Sequence, residues 1–209
     1  MTNKDKIPLI LNYFDEILPN AKCELNYSND YELVIAVMLS SQTTDKAVNK
    51  VSAKLFSFYP DLVSLAKAKE EDISNLIKEI GMYKNKTKNI ISIANDLINK
   101  FDSKVPNDKE KLMTLSGVGN KTAGVILAEL FNNPELPVDT HVSRVSKRLG
   151  LVNKSDEPLE IEYKLKRLIN KNRWVKSHHQ FIHFGRYFCL ARSPKCQDCK
   201  LKSICKVSL

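Results

Sequence analysis

The sequence predicts an all-α protein, on three observations. Apolar residues recur every three or four positions through ten separate stretches. No apolar–polar alternation of period two persists, and Pro, Gly and Asn punctuate the gaps between the stretches. Ile7–Leu18 comes first and stops at Pro19-Asn20. Leu33–Leu39 and Val48–Phe58 follow; Thr44-Asp45 opens the second as a cap with an acid in the first turn, and Pro60-Asp61 closes it. Ile73–Ile80 ends at Gly81. Ile90–Phe101 runs towards Pro106-Asn107-Asp108, another acidic helix start, which precedes Leu112–Leu115. Val125–Phe131 is broken by Pro134 and Pro137, Val142–Leu149 by Gly150, and Leu159–Ile169 and Phe181–Cys189 complete the series.

Short helices with brief connections fit two packed helical layers without a flexible linker. The weakest point is Asn132–Pro137, where Asn-Asn-Pro and Leu-Pro interrupt two helices. There is no internal repeat and no low-complexity segment. A chain of 209 residues is long enough to bury a real core as one domain or two small ones.

Charge is distributed more tellingly than its total of +9 suggests. Residues 1–138 hold 17 Lys and Arg against 18 Asp and Glu, and residues 139–209 hold 16 against 6. The positive excess therefore lies in the last third. A solvated basic face would read the same way, but such asymmetry more often marks a surface for a polyanion, of which nucleic acid is the commonest. No apolar run approaches the roughly 20 residues a spanning helix needs, so no membrane role is expected. Asp5, Asp15 and Glu16 without an arginine do not read as a signal or transit peptide, so a cytoplasmic location is expected.

Leu115-Ser116-Gly117-Val118-Gly119-Asn120-Lys121-Thr122-Ala123 carries the most chemistry. Gly117 and Gly119 suit a tight inter-helical turn that demands positive φ or close backbone approach. A second helix starting near Asn120 would offer free amides to an anion there. G-x-G alone would favour an ordinary helical hairpin; the whole string is far more specific. Lys121 reads blandly as a solvated lysine. As a nucleophile it must be neutral, and moving its pKa from about 10.4 to near 7–8 takes roughly 3–5 kcal/mol. A helix N-terminus supplies only about 0.3–1 kcal/mol, so burial in a water-poor cleft is expected to supply most of the rest. Asp139, in Val138-Asp139-Thr140-His141, opens the next helix; it is a cap, and as an anion it could also stabilise a cationic sugar.

Four of five cysteines crowd together as Cys189, Cys196, Cys199 and Cys205, while Cys23 stands alone as a buried thiol. The C-x6-C-x2-C-x5-C spacing lacks the paired C-x2-C knuckles usual for zinc, and leaves zinc and a cubane iron–sulfur cluster both open. A loop pinned this way could hold Arg192 and Lys195 at a fixed phosphate spacing.

Together these segments resemble the endonuclease III family of DNA glycosylases. The resemblance rests on Leu39-Ser40-Ser41-Gln42-Thr43-Thr44-Asp45, Gly81-Met82-Tyr83, the hairpin string, Val138-Asp139-Thr140-His141 and the four cysteines, in this order. It implies a helix-hairpin-helix glycosylase fold with two helical subdomains, a DNA-binding cleft between them and a cluster loop at residues 189–205. The expected domains are 22–134, with six helices and the hairpin at about 108–132, and 1–21 plus 135–209. It implies a [4Fe–4S] cluster on Cys189, Cys196, Cys199 and Cys205, and a monovalent cation on the hairpin carbonyls. The implied activity is base excision repair: removal of oxidised pyrimidines from double-stranded DNA through a Schiff base on Lys121, assisted by Asp139, with strand cleavage 3′ to the abasic site. A monomer acting at damaged bases or abasic sites is expected.

DNA contacts are expected at Gln42, Met82, Gly117, Val118, Gly119, His141, Arg192 and Lys195. Gln42 would fill the gap left by a flipped nucleotide and Met82 would wedge between bases. The bland alternatives are loop polarity for Gln42, core packing for Met82 and a local hydrogen bond for His141. Ser116 stands where the family often has proline, and Met82 where leucine is commoner. Rival functions are an adenine or mismatch glycosylase, which usually lacks the lysine, and a non-catalytic iron–sulfur DNA-binding protein, which needs neither Lys121 nor Asp139.

Overall fold

The computed structural model describes residues 1–206; residues 207–209, the end of the expected 135–209 segment, lie outside the described residues. Among the described residues there are α-helices and no strands, and the all-α expectation holds. The chain forms two compact units, Glu24–Phe131 and Met1–Cys23 with the stretch from Asn132 onward.

After α1 (Asn3–Ile17), the chain builds its first unit around α2 (Asp30–Leu39). The sequence of α2 is apolar on every face after Glu32, and a helix of that kind belongs in a core; Glu32 through Leu39 are all buried. Against it pack α3 (Asp45–Phe58), α6 (Tyr83–Phe101) and α8 (Asn120–Phe131). The shorter α4 (Leu62–Ala66), α5 (Glu70–Ile77) and α7 (Lys109–Met113) complete the unit, which makes seven helices where six were expected. α4 escapes a periodicity argument because five residues hardly complete a turn and a half. Its Pro60-Asp61 start, read as punctuation, is a cap: Asp61 accepts from Ser64 N at 2.7 Å. The helix starts foreseen at Thr44 and Asp108 are present, with bonds from Ala47 N (3.3 Å) and Lys111 N (2.8 Å). Asn132, at φ 51, ends α8 in the left-handed conformation that asparagine tolerates.

The second unit joins α1 to α9 (Thr140–Arg148), α10 (Pro158–Leu168) and α11 (Trp174–His183). Ile10, Phe14, Val142, Val145, Ile161, Leu165, Phe181 and Phe184 form its core. Burying a side chain of this size contributes about 1.5–3 kcal/mol. Polar bonds lock α1 in place: Asn3 donates to Leu151 O (2.9 Å), buried Lys6 to Leu149 O (2.9 Å), and Asp15 accepts from Arg173 and Gln180. α11 begins well before the expected Phe181, because its first turns, through Ser177, His178 and Gln180, bury polar residues that a hydrophobic pattern does not reveal. A π-helical turn, Phe184–Phe188, continues it into Cys189.

Candidate functional site

Between α7 and α8 the hairpin closes with Val118 N donating to Leu115 O at 3.1 Å. Gly117 sits at φ 77, and a Cβ there would lie 2.4 Å from Asn89 Nδ2 and 3.1 Å from Met38 Cγ. The left-handed backbone favours glycine at this position, and an added Cβ would oblige the Asn89 side chain to shift. Gly119 is different: it has no positive φ, and a Cβ on it would meet nothing within 4 Å. The expectation that the turn itself demands both glycines is corrected; the space over Gly119 is open. Gly119 O accepts from Ala123 N at 2.9 Å, so the amides of Asn120, Lys121 and Thr122 precede the first intrahelical donor of α8. Val118 packs inward and is buried, which leaves its backbone as the part that could face a ligand. Ser116 Oγ and Ser92 Oγ on α6 are 2.7 Å apart, a hydrogen bond that fixes the turn where a proline would have fixed φ.

Lys121 lies in the first turn of α8 and is exposed. The burial expected to neutralise its amine is not provided by the protein itself, because α8 turns Ala123, Gly124, Ile126 and Leu127 into the core and leaves residue 121 in solvent. In the other unit, Asp139 caps α9, accepting from Val142 N at 2.8 Å, and is half-buried. His141 follows it. Arg144 Nη2 stands 3.2 Å from His141 Nδ1, and since a guanidinium only donates, neutral His141 carries its proton on Nε2. Burial holds its pKa below the ordinary histidine value; the Asp139 charge opposes this, and those of Arg144 and Arg186 add to it. Gly185, where a Cβ would come within 2.9 Å of His141 Cβ, lets α9 and the π turn approach.

Gln42 and Met82 share an unusual backbone. Both are left-handed, at φ 55 and φ 57, a conformation that disfavours side chains lacking the local hydrogen bonds of Asn or Asp. Gln42 is exposed and Met82 is 55% exposed, so the core-packing alternative for Met82 falls. Two strained residues held out into solvent are a common mark of function. Lys86, which sequence reasoning missed, is buried on α6 beneath the Gln42 loop. The available signal was a lysine one turn before Ile90 on the apolar stripe that continues with Ile93 and Leu97.

Cys189, Cys196, Cys199 and Cys205 line one cavity with Leu149, Phe184 and Phe188. Burial raises the Cys199 thiol above the ordinary cysteine value, and the three neighbouring thiols add to the rise. Among the described residues no three His, Cys, Asp or Glu side chains converge on a point where one metal ion would sit. A single zinc needs its sulfurs about 2.3 Å from a common centre. The four thiols around this cavity provide the thiolate donor set that a structural zinc and an iron–sulfur cluster both take. Arg148 of α9 donates to Cys189 Sγ (3.3 Å), Leu190 O (2.6 Å) and Ala191 O (3.0 Å), and Arg144 donates to Gly185 O (2.7 Å). Neither arginine was singled out from sequence; their role depends on a contact about forty residues away. Arg192 and Lys195 are exposed on this loop.

The structure thus gathers Gln42, Met82, Gly117, Val118, Gly119 and Lys121 in the unit 24–131, and Asp139, His141, Arg192, Lys195 and the four cysteines in the other. No described helix is long and apolar enough to cross a membrane. Residues 35–171 match the family described as HhH-GPD superfamily base excision DNA repair protein. The chain is 43% identical to endonuclease III of Bacillus subtilis over 99% of its own length and 94% of the relative's. It is 38% identical to endonuclease III of Escherichia coli, over 98% and 96%. A solved endonuclease III in a trapped covalent intermediate with DNA superimposes with a TM-score of 0.95, at 43% identity, over 99% of this chain and 97% of that one. A thermostable thymine-DNA glycosylase, 21% identical with a TM-score of 0.82, shares the fold. The hairpin, the capped aspartate, the cysteine cavity and these full-length likenesses agree, and the chain belongs to the endonuclease III family within the HhH-GPD superfamily of base excision DNA repair proteins.

Proposed function

We propose that this chain is a bifunctional DNA glycosylase and abasic-site lyase that removes oxidised pyrimidines from duplex DNA. The observation that carries the reading is Lys121: an exposed amine in the first turn of α8, directly after a hairpin suited to a phosphate. The full-length likeness to an endonuclease III trapped covalently on DNA supports it.

Backbone amides around Gly119 and Asn120 hold a phosphate of the damaged strand without reading sequence. The damaged nucleotide leaves the stack, Gln42 fills its place and Met82 separates the neighbouring bases. Lys121 Nζ attacks C1′ as the glycosidic bond breaks, and the base departs with the bonding pair and takes up a proton; the C1′–O4′ bond then breaks, O4′ takes up a proton, and the opened sugar remains as an iminium on the lysine. Loss of a C2′ proton expels the 3′ phosphate, and water releases Lys121. Asp139 takes part in freeing the lysine of its proton and offsets positive charge on the sugar. Because Lys121 is exposed in the protein alone, bound DNA supplies the dehydration that favours the neutral amine.

Cys189, Cys196, Cys199 and Cys205 would hold a [4Fe–4S] cluster, which would cross-link the loop 189–205. Arg148, bonded to three successive residues at the start of that loop, sets its path, and Arg192 and Lys195 meet the DNA backbone from it. Borohydride reduction during turnover on a thymine-glycol duplex should trap a covalent protein–DNA adduct that Lys121→Gln abolishes. An adduct that persists in the variant rejects the assigned nucleophile.

A further inference from the structure

We infer that Lys86 is a positioning residue that holds Gln42 and Met82 in register for entry into the DNA stack, an inference resting on the roles just proposed for those two. Lys86 is 3% exposed, and its ammonium donates to Ser41 O at 2.9 Å and Thr43 Oγ1 at 2.9 Å, the residues on either side of Gln42. Its backbone N–H donates to Met82 O at 3.1 Å. One residue therefore grips the loop of the first left-handed residue by its side chain and the second left-handed residue by its main chain.

Neither conformation is one that its own side chain favours, so each persists only where its surroundings impose it. A buried ammonium is a strong agent for that purpose. Leaving either acceptor would strand a charge out of water, so the loop is held by a bond that costs far more to break than an exposed one. Burial does press its pKa below the ordinary lysine value, which sharpens its demand for both oxygens. The spacing along α6 suits a ruler: Met82 and Lys86 are one turn apart, and Asn89 and Ser92, the next positions on that side, meet the hairpin at Gly117 and Ser116. A shorter or neutral side chain at 86 would leave Gln42 free to relax towards an unstrained backbone and would lose the register with Met82.

The test is a double-mutant cycle with single-turnover kinetics on two substrates. Lys86→Met should slow release of a paired, oxidised pyrimidine by about tenfold or more, a change equal to one decade in rate. It should leave nearly unchanged the borohydride trapping of an abasic site in unpaired DNA, where no gap needs filling. Lys86→Arg should recover part of the loss, and in a Gln42→Gly background the Lys86→Met substitution should add nothing. Should Lys86→Met fail to fold, Thr43→Val, which removes one acceptor at constant shape, replaces it in the cycle. Additive losses, or equal losses on both substrates, overturn the proposal. Failure of the unsubstituted protein to form an adduct on the unpaired abasic site would instead overturn the reading of its function.

Discussion

Asp139 shows how one side chain meets two demands that a single substitution can separate. The cap on α9 needs an oxygen within reach of Val142 N, whereas stabilising a cationic sugar needs a negative charge. Asparagine caps helices about as well as aspartate, so Asp139→Asn should leave the thermal midpoint within about 2 °C of the parent. Base release should fall on the order of a hundredfold, the scale of losing one preorganised electrostatic contact. A lowered midpoint with activity retained would leave the cap as the residue's whole role. At this scale the sequence announces Asp139, Gly117 and the cysteines, because caps, left-handed turns and ligand spacings are local. It does not announce the left-handed backbones of Gln42 and Met82, nor Lys86, whose side chain meets Ser41 and Thr43 more than forty residues away. Nor does it announce that Lys121 is exposed in the protein alone, since which side of α8 meets the core is decided by partners elsewhere in the unit.

The hairpin is a small element whose two glycines answer to different masters. Gly117→Ala must hold φ 77 and drive a methyl to 2.4 Å from Asn89, so it should destabilise the protein by about 1–3 kcal/mol. Gly119→Ala meets no atom within 4 Å, so its melting should match the parent while its affinity for abasic DNA drops. Thermal denaturation and DNA titration of both variants check the contrast, and equal melting losses would reject it. Among the helices, the starts of α3, α7 and α9 are legible because Thr44, Asp108 and Asp139 satisfy first-turn amides. The start of α11 is not, since its buried Ser177, His178 and Gln180 carry no apolar signature, and α4 is too short to have one.

For the whole molecule, the concentration of positive charge in the last third has a thermodynamic signature. Each phosphate neutralised contributes about 0.9 to the slope of log affinity against log salt. Replacing both Arg192 and Lys195 by glutamate should flatten that slope by about 2 if each meets one phosphate. An unchanged slope in a binding titration over salt removes both from the interface. A second prediction concerns how α1 is held. The Arg173 guanidinium, with Lys176 and Gln180, keeps the Asp15 carboxyl well below the usual carboxylate range. A lowered carboxylate pKa stabilises the fold above the unfolded value near 3.9, and this gain is lost as pH falls through the folded value. Asp15→Asn should therefore cost stability at pH 7, about 1 kcal/mol or 2–4 °C after allowing for solvent screening of a partly exposed pair. The gap to the parent should close as melting is measured from about pH 5 downward, and a gap independent of pH would refute the ion pair's part.

That α1 belongs with segments from Asn132 onward also sets an order of events in the cell. α1 is synthesised before the segments it packs on, and finds those partners only after a wait on the order of ten to forty seconds at ordinary translation rates. Meanwhile the intervening stretch of 24–131 can complete its own core around α2. During that interval the buried faces of Ile10 and Phe14 are bare, and it is then that a nascent-chain chaperone would find most to hold.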